Sequence, residues 1–419
     1  MKRRYERWFL TAWLAVAGCI RLCAQFSEQV YQSADRIDSL WKGNLYVTID
    51  NLNFFRNNEW ATVMTPGYTL PGFRLQPKVT YYPAKNIKIE AGVHSLWFWG
   101  TNRYPSYAYS QLPQMEGEAA SHAVHVLPYL RAQVAFSSRV QLILGNIYGG
   151  ANHRLIEPLY NPELNLTADP ESGLQLLYRL PWMELDTWVD WKEFIYRSDV
   201  KQEAFNYGLS VRMNANRPES PFHVYFPLQA LAQHQGGQID VTNLPVQTVL
   251  NGAAGAGLDW NLRRGLLRRI SLEWDAVSYY QHAGDQWLLK SGYGIYTALS
   301  AGIADFQIKS AYWRADRFIS LLGNTLFGAP SLSIENAYFD HPEMVTLSVS
   351  YTRSFAAGYA LGIDFDLYQR FAARLNDPAS GISRVGAKSN YSFGVYFRVN
   401  PSFLINRPVT HVFQHAGTP

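Results

Sequence analysis

Along most of this chain apolar and polar residues alternate. Phe73, Leu75, Pro77, Val79 and Tyr81 are interleaved with Arg74, Gln76, Lys78 and Thr80; Tyr391, Phe393, Val395, Phe397 and Val399 are interleaved with Ser392, Gly394, Tyr396 and Arg398. A period of two places each set on its own face of a β-strand. Sixteen runs read as strands: 44–55, 73–83, 86–98, 122–136, 139–148, 173–180, 182–196, 204–213, 222–235, 248–262, 268–280, 291–300, 304–314, 344–353, 359–371 and 390–400. The links between them alternate in length. Short ones such as 84–85, 137–138 and 301–303 follow even-numbered runs, and long ones such as 99–121, 149–172, 315–343 and 372–389 follow odd-numbered runs. Single-chain bacterial barrels have an even number of strands, short periplasmic turns and long outer loops. The pattern predicts an all-β fold, a transmembrane antiparallel up-and-down β-barrel of about 16 strands, roughly 14 to 18 given the run boundaries.

The N-terminus sets the compartment. Lys2, Arg3, Arg4 and Arg7 precede an apolar stretch over 8–20, and Ala24 follows as a small residue. That order reads as a signal peptide, residues 1–24. A membrane anchor needs about 20 apolar residues, more than this stretch supplies. Val16, Ala17, Gly18 and Cys19 also resemble a lipoprotein signal, but Arg21 follows the cysteine closely and a barrel needs no lipid tether. Residues 25–43 then form a periplasmic N-terminal segment, in which Val30, Ile37 and Leu40 share one helical face suited to plugging the lower mouth. Residues 44–400 are the barrel and 401–419 a C-terminal tail.

Losing the signal changes the charge. The whole chain carries 37 basic and 33 acidic residues; removing five basic residues and Glu6 leaves 37 − 5 = 32 and 33 − 1 = 32. A neutral mature chain gives no warrant for nucleic acid as a partner. Cys19 and Cys23 also leave, which excludes a disulfide framework and a thiolate zinc site. The remaining 395 residues exceed one typical soluble core, yet no linker or charge block divides them.

The signal, the meander of strands, the alternating links and the aromatic last strand around Phe397 resemble the Gram-negative outer-membrane β-barrel proteins, porin-like in size. The resemblance spans 44–400 as a pattern and carries no residue motif. It departs at the end, because 401–419 continue past the strand; either Phe397 marks the last strand or Phe403 belongs to a shifted one. The resemblance implies outer-membrane lipid as a partner, small hydrophilic solutes or glycans as cargo, and no cofactor.

With the apolar set facing lipid, the polar set lines the lumen, and basic residues gather on early strands while acidic ones gather on late strands. Arg74, Lys78, Arg131, Arg179 and Arg212 would face Glu273, Asp275, Asp364 and Asp366 across a transverse field. Solvated wall charges pairing across strands are the plainer reading of any one of them. Three acid-x-acid pairs, Glu184/Asp186, Glu273/Asp275 and Asp364/Asp366, put two carboxylates on one face. Without a calcium loop motif or a site that raises one carboxyl pKa, they read as solvated lumen acids. The third outer loop, 149–172, carries Glu157, Glu163 and Asp169; folded inward, these would face Arg131, Arg179 and Arg212. Loop 315–343 is a second lid candidate, and Trp97, Trp99, Tyr279, Tyr280 and Trp313 read as interface girdles.

Catalytic motifs are absent. His122 and His125 fall on opposite strand faces, and no Gly-x-Ser-x-Gly elbow or His-Glu-x-x-His helix occurs. The expectation is therefore a non-enzymatic outer-membrane pore for passive or weakly selective passage of small hydrophilic solutes. The alternatives are a closed barrel that binds or assembles surface polysaccharide, an outer-membrane hydrolase, and a soluble secreted all-β protein.

Overall fold

The computed structural model describes residues 35–61, 66–99, 125–196, 199–237, 242–262, 265–331, 334, 336–356 and 358–406. The signal segment and His122 lie outside the described residues. Among the described residues twenty strands follow in chain order. The first thirteen are β1 (Leu45–Ala61), β2 (Pro66–Ala84), β3 (Ile87–Phe98), β4 (His125–Ala135), β5 (Val140–Asn146), β6 (Ser172–Leu180), β7 (Met183–Glu193), β8 (Ala204–Asn214), β9 (Phe222–Gln235), β10 (Gln247–Asn261), β11 (Leu267–Ala283), β12 (Ser291–Ile303) and β13 (Phe306–Asp316). Then come β14 (Tyr338–Asp340), β15 (Glu343–Ala356), β16 (Tyr359–Arg370), β17 (Ala373–Asp377), β18 (Gly381–Val385), β19 (Lys388–Val399) and β20 (Ser402–Asn406). β1 to β13, β15, β16 and β19 pair antiparallel with their sequence neighbours, and β19 returns to β1, Asn51 opposite Val399. That is a closed sixteen-stranded barrel. β14, β17 and β18 form a small separate sheet on the outer loops.

The last wall strand bends and continues. Ile49 donates its N–H to the Pro401 carbonyl, and beyond it β20 pairs with the start of β1, Val47 opposite Phe403. Both sequence alternatives for the closing strand therefore hold in part: Phe397 lies on β19 and Phe403 on its continuation.

Outward positions carry the apolar set, as in Val79, Tyr81, Phe393, Val395 and Phe397, all exposed on the barrel surface. The inward set is mixed, contrary to a uniformly polar lumen. On β1 the inward residues run Asp50, Leu52, Phe54, Arg56, Asn58 and Trp60, every one buried. The apolar members of this set meet an apolar core made by two outer loops that fold into the barrel. Loop 317–337 supplies Phe318, Leu321, Leu326 and Phe327, and loop 147–171 supplies Ile156, Leu159, Leu164 and Leu166. They pack in one buried cluster with wall residues from β1–β3 and β9–β13, including Leu52, Phe98, Leu231 and Trp313. Trp313 and Tyr279, read from sequence as girdle residues, are 1% and 2% exposed and belong to this plug. Trp97 and Trp99 do sit outward, 4.6 Å apart, and Tyr280 is exposed.

Polar groups tie the two loops to each other and to the wall. Ser320 donates to the Pro158 carbonyl at 2.7 Å, and Asn161 N–H to the Leu322 carbonyl at 2.8 Å. The Asn251 amide of β10 accepts from Leu321 N–H and donates to the Ile319 carbonyl. Phe327, fully buried, meets Trp313 and Tyr296 edge to face at 5.3 and 6.0 Å. Truncating Phe327 to alanine is expected to cost about 3–5 kcal/mol through the cavity it leaves. The check is heat-modifiable gel mobility: the compact form should be lost at a lower temperature than in the native protein.

Candidate functional site

Beneath and beside the plug lies a polar chamber of about 120 Å³, lined by β1–β4, β7–β9, loop 147–171 and Leu322 of the other loop. Its wall is set by register. Asp50 on β1 stands opposite Gln76 on β2, and Arg74, two residues earlier, stands opposite Leu96 on β3. Arg74 is thus a diagonal neighbour of His94 on the same inward face. Asp50 is held by Arg398 at 3.0 and 3.1 Å, and Arg74 donates to the Asn165 carbonyl at 3.3 Å. His94 is 2% exposed, and among the described residues neither ring nitrogen has a hydrogen-bond partner. The same is true of the Arg74 Nε. Buried polar atoms are nearly always satisfied, so an imidazole and a guanidinium N–H left free at one chamber wall mark a place for a ligand or water.

Lower in the barrel Glu90 binds Lys78 at 3.1 Å, Arg131 at 3.0 Å and Lys88 at 3.5 Å. Arg131 also donates to the Asn146 and Ile147 carbonyls at 2.6 and 2.8 Å, pinning the chain where it leaves β5 for the lumen. Asp35 of the N-terminal segment accepts from Arg179, and its carbonyl from Gln133, at the periplasmic end of the wall.

Loop 147–171 is held by charge. His153 lies flat on Trp188, 3.4 Å away at 6°, and Trp188 in turn covers Gly208, where a Cβ would come within 2.0 Å of the indole. Its Nδ1 bonds Asp186 at 2.8 Å and its Nε2 bonds Glu171 at 3.0 Å. Burial alone would lower the imidazole pKa, but the two carboxylates outweigh it and push it up to about 10. A raised folded pKa stabilises fully below the unfolded value and is lost as pH rises through the folded one. Protease protection of loop 147–171 is therefore expected to be greatest below about pH 6.5 and to decline progressively as pH rises from there to about 10. His153→Gln should remove protection at neutral pH and flatten that profile.

The sequence-derived lumen residues do face inward, but their partners differ from those expected. The loop acids meet none of Arg131, Arg179 and Arg212. Glu157 binds Lys309 at 2.9 Å, and Asp169 binds His125 at 2.9 Å. Glu163 accepts from Arg56, Asn58 and Tyr68 at 2.8, 2.8 and 2.5 Å. Arg56 also donates to Asp364 at 2.8 Å and Asp366 at 3.0 Å, around a second cavity of about 80 Å³. Arg212 stacks on Tyr225 at 3.4 Å and binds Asp259 at 3.1 Å. The acid-x-acid pairs are likewise paired or buried, although Glu184 keeps a partly exposed side chain. Glu184 and Asp186 anchor Arg154 and His153, Glu273 accepts from Tyr225 at 2.5 Å, and Asp275 is fully buried. Arg56, Asp50 and His94 went unnoticed in the sequence. Their inward parity was legible there, but their convergence depends on the barrel's closing register.

A family described as lipid A 3'-O-deacylase-type matches residues 32–408. The chain belongs to that family. Its membership overturns the expectation of a non-enzymatic barrel, because the family is named for an enzyme that removes an acyl group. The motif search failed because the activity need not announce itself in a short local signature when its groups come from separate strands. No curated protein matches the chain. Among solved structures, OccAB4 of Acinetobacter baumannii is 9% identical with a TM-score of 0.46, over 86% of this chain and 99% of that one. The outer membrane protein OpdK of Pseudomonas aeruginosa is 12% identical with a TM-score of 0.46, over the same shares. OprD of Pseudomonas aeruginosa is 10% identical with a TM-score of 0.45, over 88% and 98%. The chain is thus a closed sixteen-stranded barrel of the lipid A 3'-O-deacylase-type family. Among its described residues no group of three or more His, Cys, Asp or Glu is placed to hold a metal ion.

Proposed function

We propose that this protein is an outer-membrane hydrolase that removes an ester-linked acyl chain from lipid A, with the chamber beside His94 as its reaction site. Family membership supports the reaction class. The observation that carries the site is the buried imidazole with both nitrogens free, beside a guanidinium with a free N–H. A neutral imidazole takes a proton from water as the water oxygen attacks the ester carbonyl. Arg74 stabilises the oxyanion that forms. Collapse breaks the bond to the sugar oxygen, which leaves as an alcohol with the returned proton; the fatty acid is the other product. Asp50 and Gln76 stand on the same inward face and fix the polarity of the wall around the imidazole.

The test is mass spectrometry of lipid A from a Gram-negative host making the protein. Species lighter by one hydroxyacyl or acyl chain are expected, with the free fatty acid recovered. Unchanged lipid A at verified surface levels of folded barrel would overturn the proposal.

A passive pore is the second reading, favoured by the charged inward face around Lys78, Lys88 and Glu90 in the lower half. The plug opposes it. Planar bilayers holding the native protein are expected to stay silent, and steady conductance steps would favour the pore.

A further inference from the structure

We propose that a gap in the barrel wall between β4 and β7 admits the acyl chain of an outer-leaflet lipid sideways into the chamber. β5 and β6 are the shortest strands of the wall, with 7 and 9 residues. The β4–β5 pairing stops at Arg131 opposite Gly145, and the β5–β6 pairing at Asn146 opposite Ser172. β4 nevertheless runs on outward to His125, still paired with β3 through Leu96. On the other side β7 runs past Asp190, its last partner on β6 being Gly173, to Glu193 on β8. Two strands are therefore missing from the outer part of the wall. β4 and β7 are three strand spacings apart there, about 14 Å, and the gap is about 16 Å tall along β4.

The chain that leaves β5 does not cover the gap. It turns into the lumen at once, and Ile147 and Tyr148 are 3% and 2% exposed. Among the described residues a single ion pair crosses the opening, His125 to Asp169 at 2.9 Å, from a half-exposed imidazole. Loop 147–171 and the chamber stand directly behind, since Tyr129 and Arg131 of β4, Asp169 and Glu171 of the loop and Lys192 of β7 line the chamber.

The gap lies at the level of lipid. Val126 and Leu130 on the β4 side and Trp191 on the β7 side point outward, apolar and 55%, 60% and 42% exposed. An apolar outward face on both flanks is the surface that a barrel presents to acyl chains. The occupant the geometry selects is a hydrocarbon chain attached to a headgroup that stays at the rim. Behind the gap the chamber offers it Leu155, Leu164, Leu231, Leu322 and Trp188 on the plug and far wall. A water-soluble ligand would have no need of an opening bordered by lipid-facing residues. The inference adds a lipid route to the hydrolase reading and rests on it only for what happens to the chain inside.

The test uses the native full chain in vesicles containing a phosphatidylglycerol whose acyl end carries a photoactivatable diazirine. After irradiation and digestion, adducts are expected on inward residues behind the gap, Leu155, Leu164 and Ala168, as well as on outward Val126 and Leu130. Ala168→Trp should cut the inner adducts several-fold and leave the outer ones unchanged, with compact gel mobility confirming the fold. Adducts confined to Val126 and Leu130 would overturn the proposal, since they report only lipid around the barrel. His94→Gln should keep the inner adducts. Inner adducts without any deacylation would therefore retain the lipid route and remove the hydrolase reading.

Discussion

Replacing Arg56 with alanine is expected to open the barrel. This guanidinium holds Glu163 of loop 147–171 and the β16 pair Asp364 and Asp366, at 2.8 to 3.0 Å. All four side chains are at most 15% exposed. One cation against three carboxylates leaves an excess of negative charge, so Arg56 is the group that makes the cluster tolerable. Deleting one member of a buried ionic cluster costs about 3–5 kcal/mol, because the partners stay buried and uncompensated. The wall carboxylates are fixed by the β15–β16–β19 ladder, so the movable member is Glu163. Its repulsion from Asp364 and Asp366 pushes the loop away from the wall. The expected readout is conductance steps in planar bilayers where the native protein is silent, together with new protease cleavage inside 147–171. Arg56→Lys keeps the charge but cannot reach three acids in a fork, and should give brief, infrequent openings. A silent, protease-resistant Arg56→Ala barrel would show that the apolar core alone holds the plug.

The second large effect is at His94. His94→Gln preserves size and polarity and removes the capacity to take a proton. Deacylation of lipid A in vivo is expected to fall by about 10²–10⁴-fold, the usual contribution of a general base. Barrel assembly should be unaffected, because among the described residues His94 makes no hydrogen bond that the substitution would break. Arg74→Gln should lower turnover as well, through loss of the contact to the oxyanion. Full activity in His94→Gln would remove the imidazole from the mechanism.

Strand parity was legible in the sequence because a lipid-facing surface demands an unbroken apolar set, and outward Val79, Tyr81, Val395 and Phe397 meet that demand at every second position. The sixteen runs follow from it, together with the alternation of short turns and long loops. Several features were not legible. The segment before Phe73 reads as loop, since Pro66, Gly67, Pro71 and Gly72 break the period, yet β2 begins at Pro66 because β1 offers it a full-length partner. Loop 149–172 was read as folding inward and 315–343 as a lid, but the apolar core that they form with the wall was not legible, for a different reason. Leu52, Phe54 and Trp60 sit at inward parity among polar neighbours, and period two alone cannot say whether such a residue meets water or a folded loop. The loop that answers them, 317–337, is apolar in a way that strand reasoning assigns to nothing.

The site shows the same limit. Asp50, Gln76 and His94 come from three consecutive strands, so register could in principle align them, but a one-residue slip would send every side chain to the other face. Partner choice for the loop acids was harder still. Glu163 meets Arg56 on β1, which also holds Asp364 and Asp366 on β16, a meeting that exists only after closure.

That closing seam also governs how the molecule is made. β1 pairs with β19 and β20 along residues 45–59 against 391–406, more than 330 positions apart in sequence. Contacts of such high order form last, because the loop entropy must be overcome before they return anything. Until residue 406 is in place, two raw strand edges face each other across an unfinished cylinder, and the plug has only part of its wall to pack against. Folding and sealing are consequently one event, and a chain stalled before it is an open sheet with its interior exposed to every neighbour.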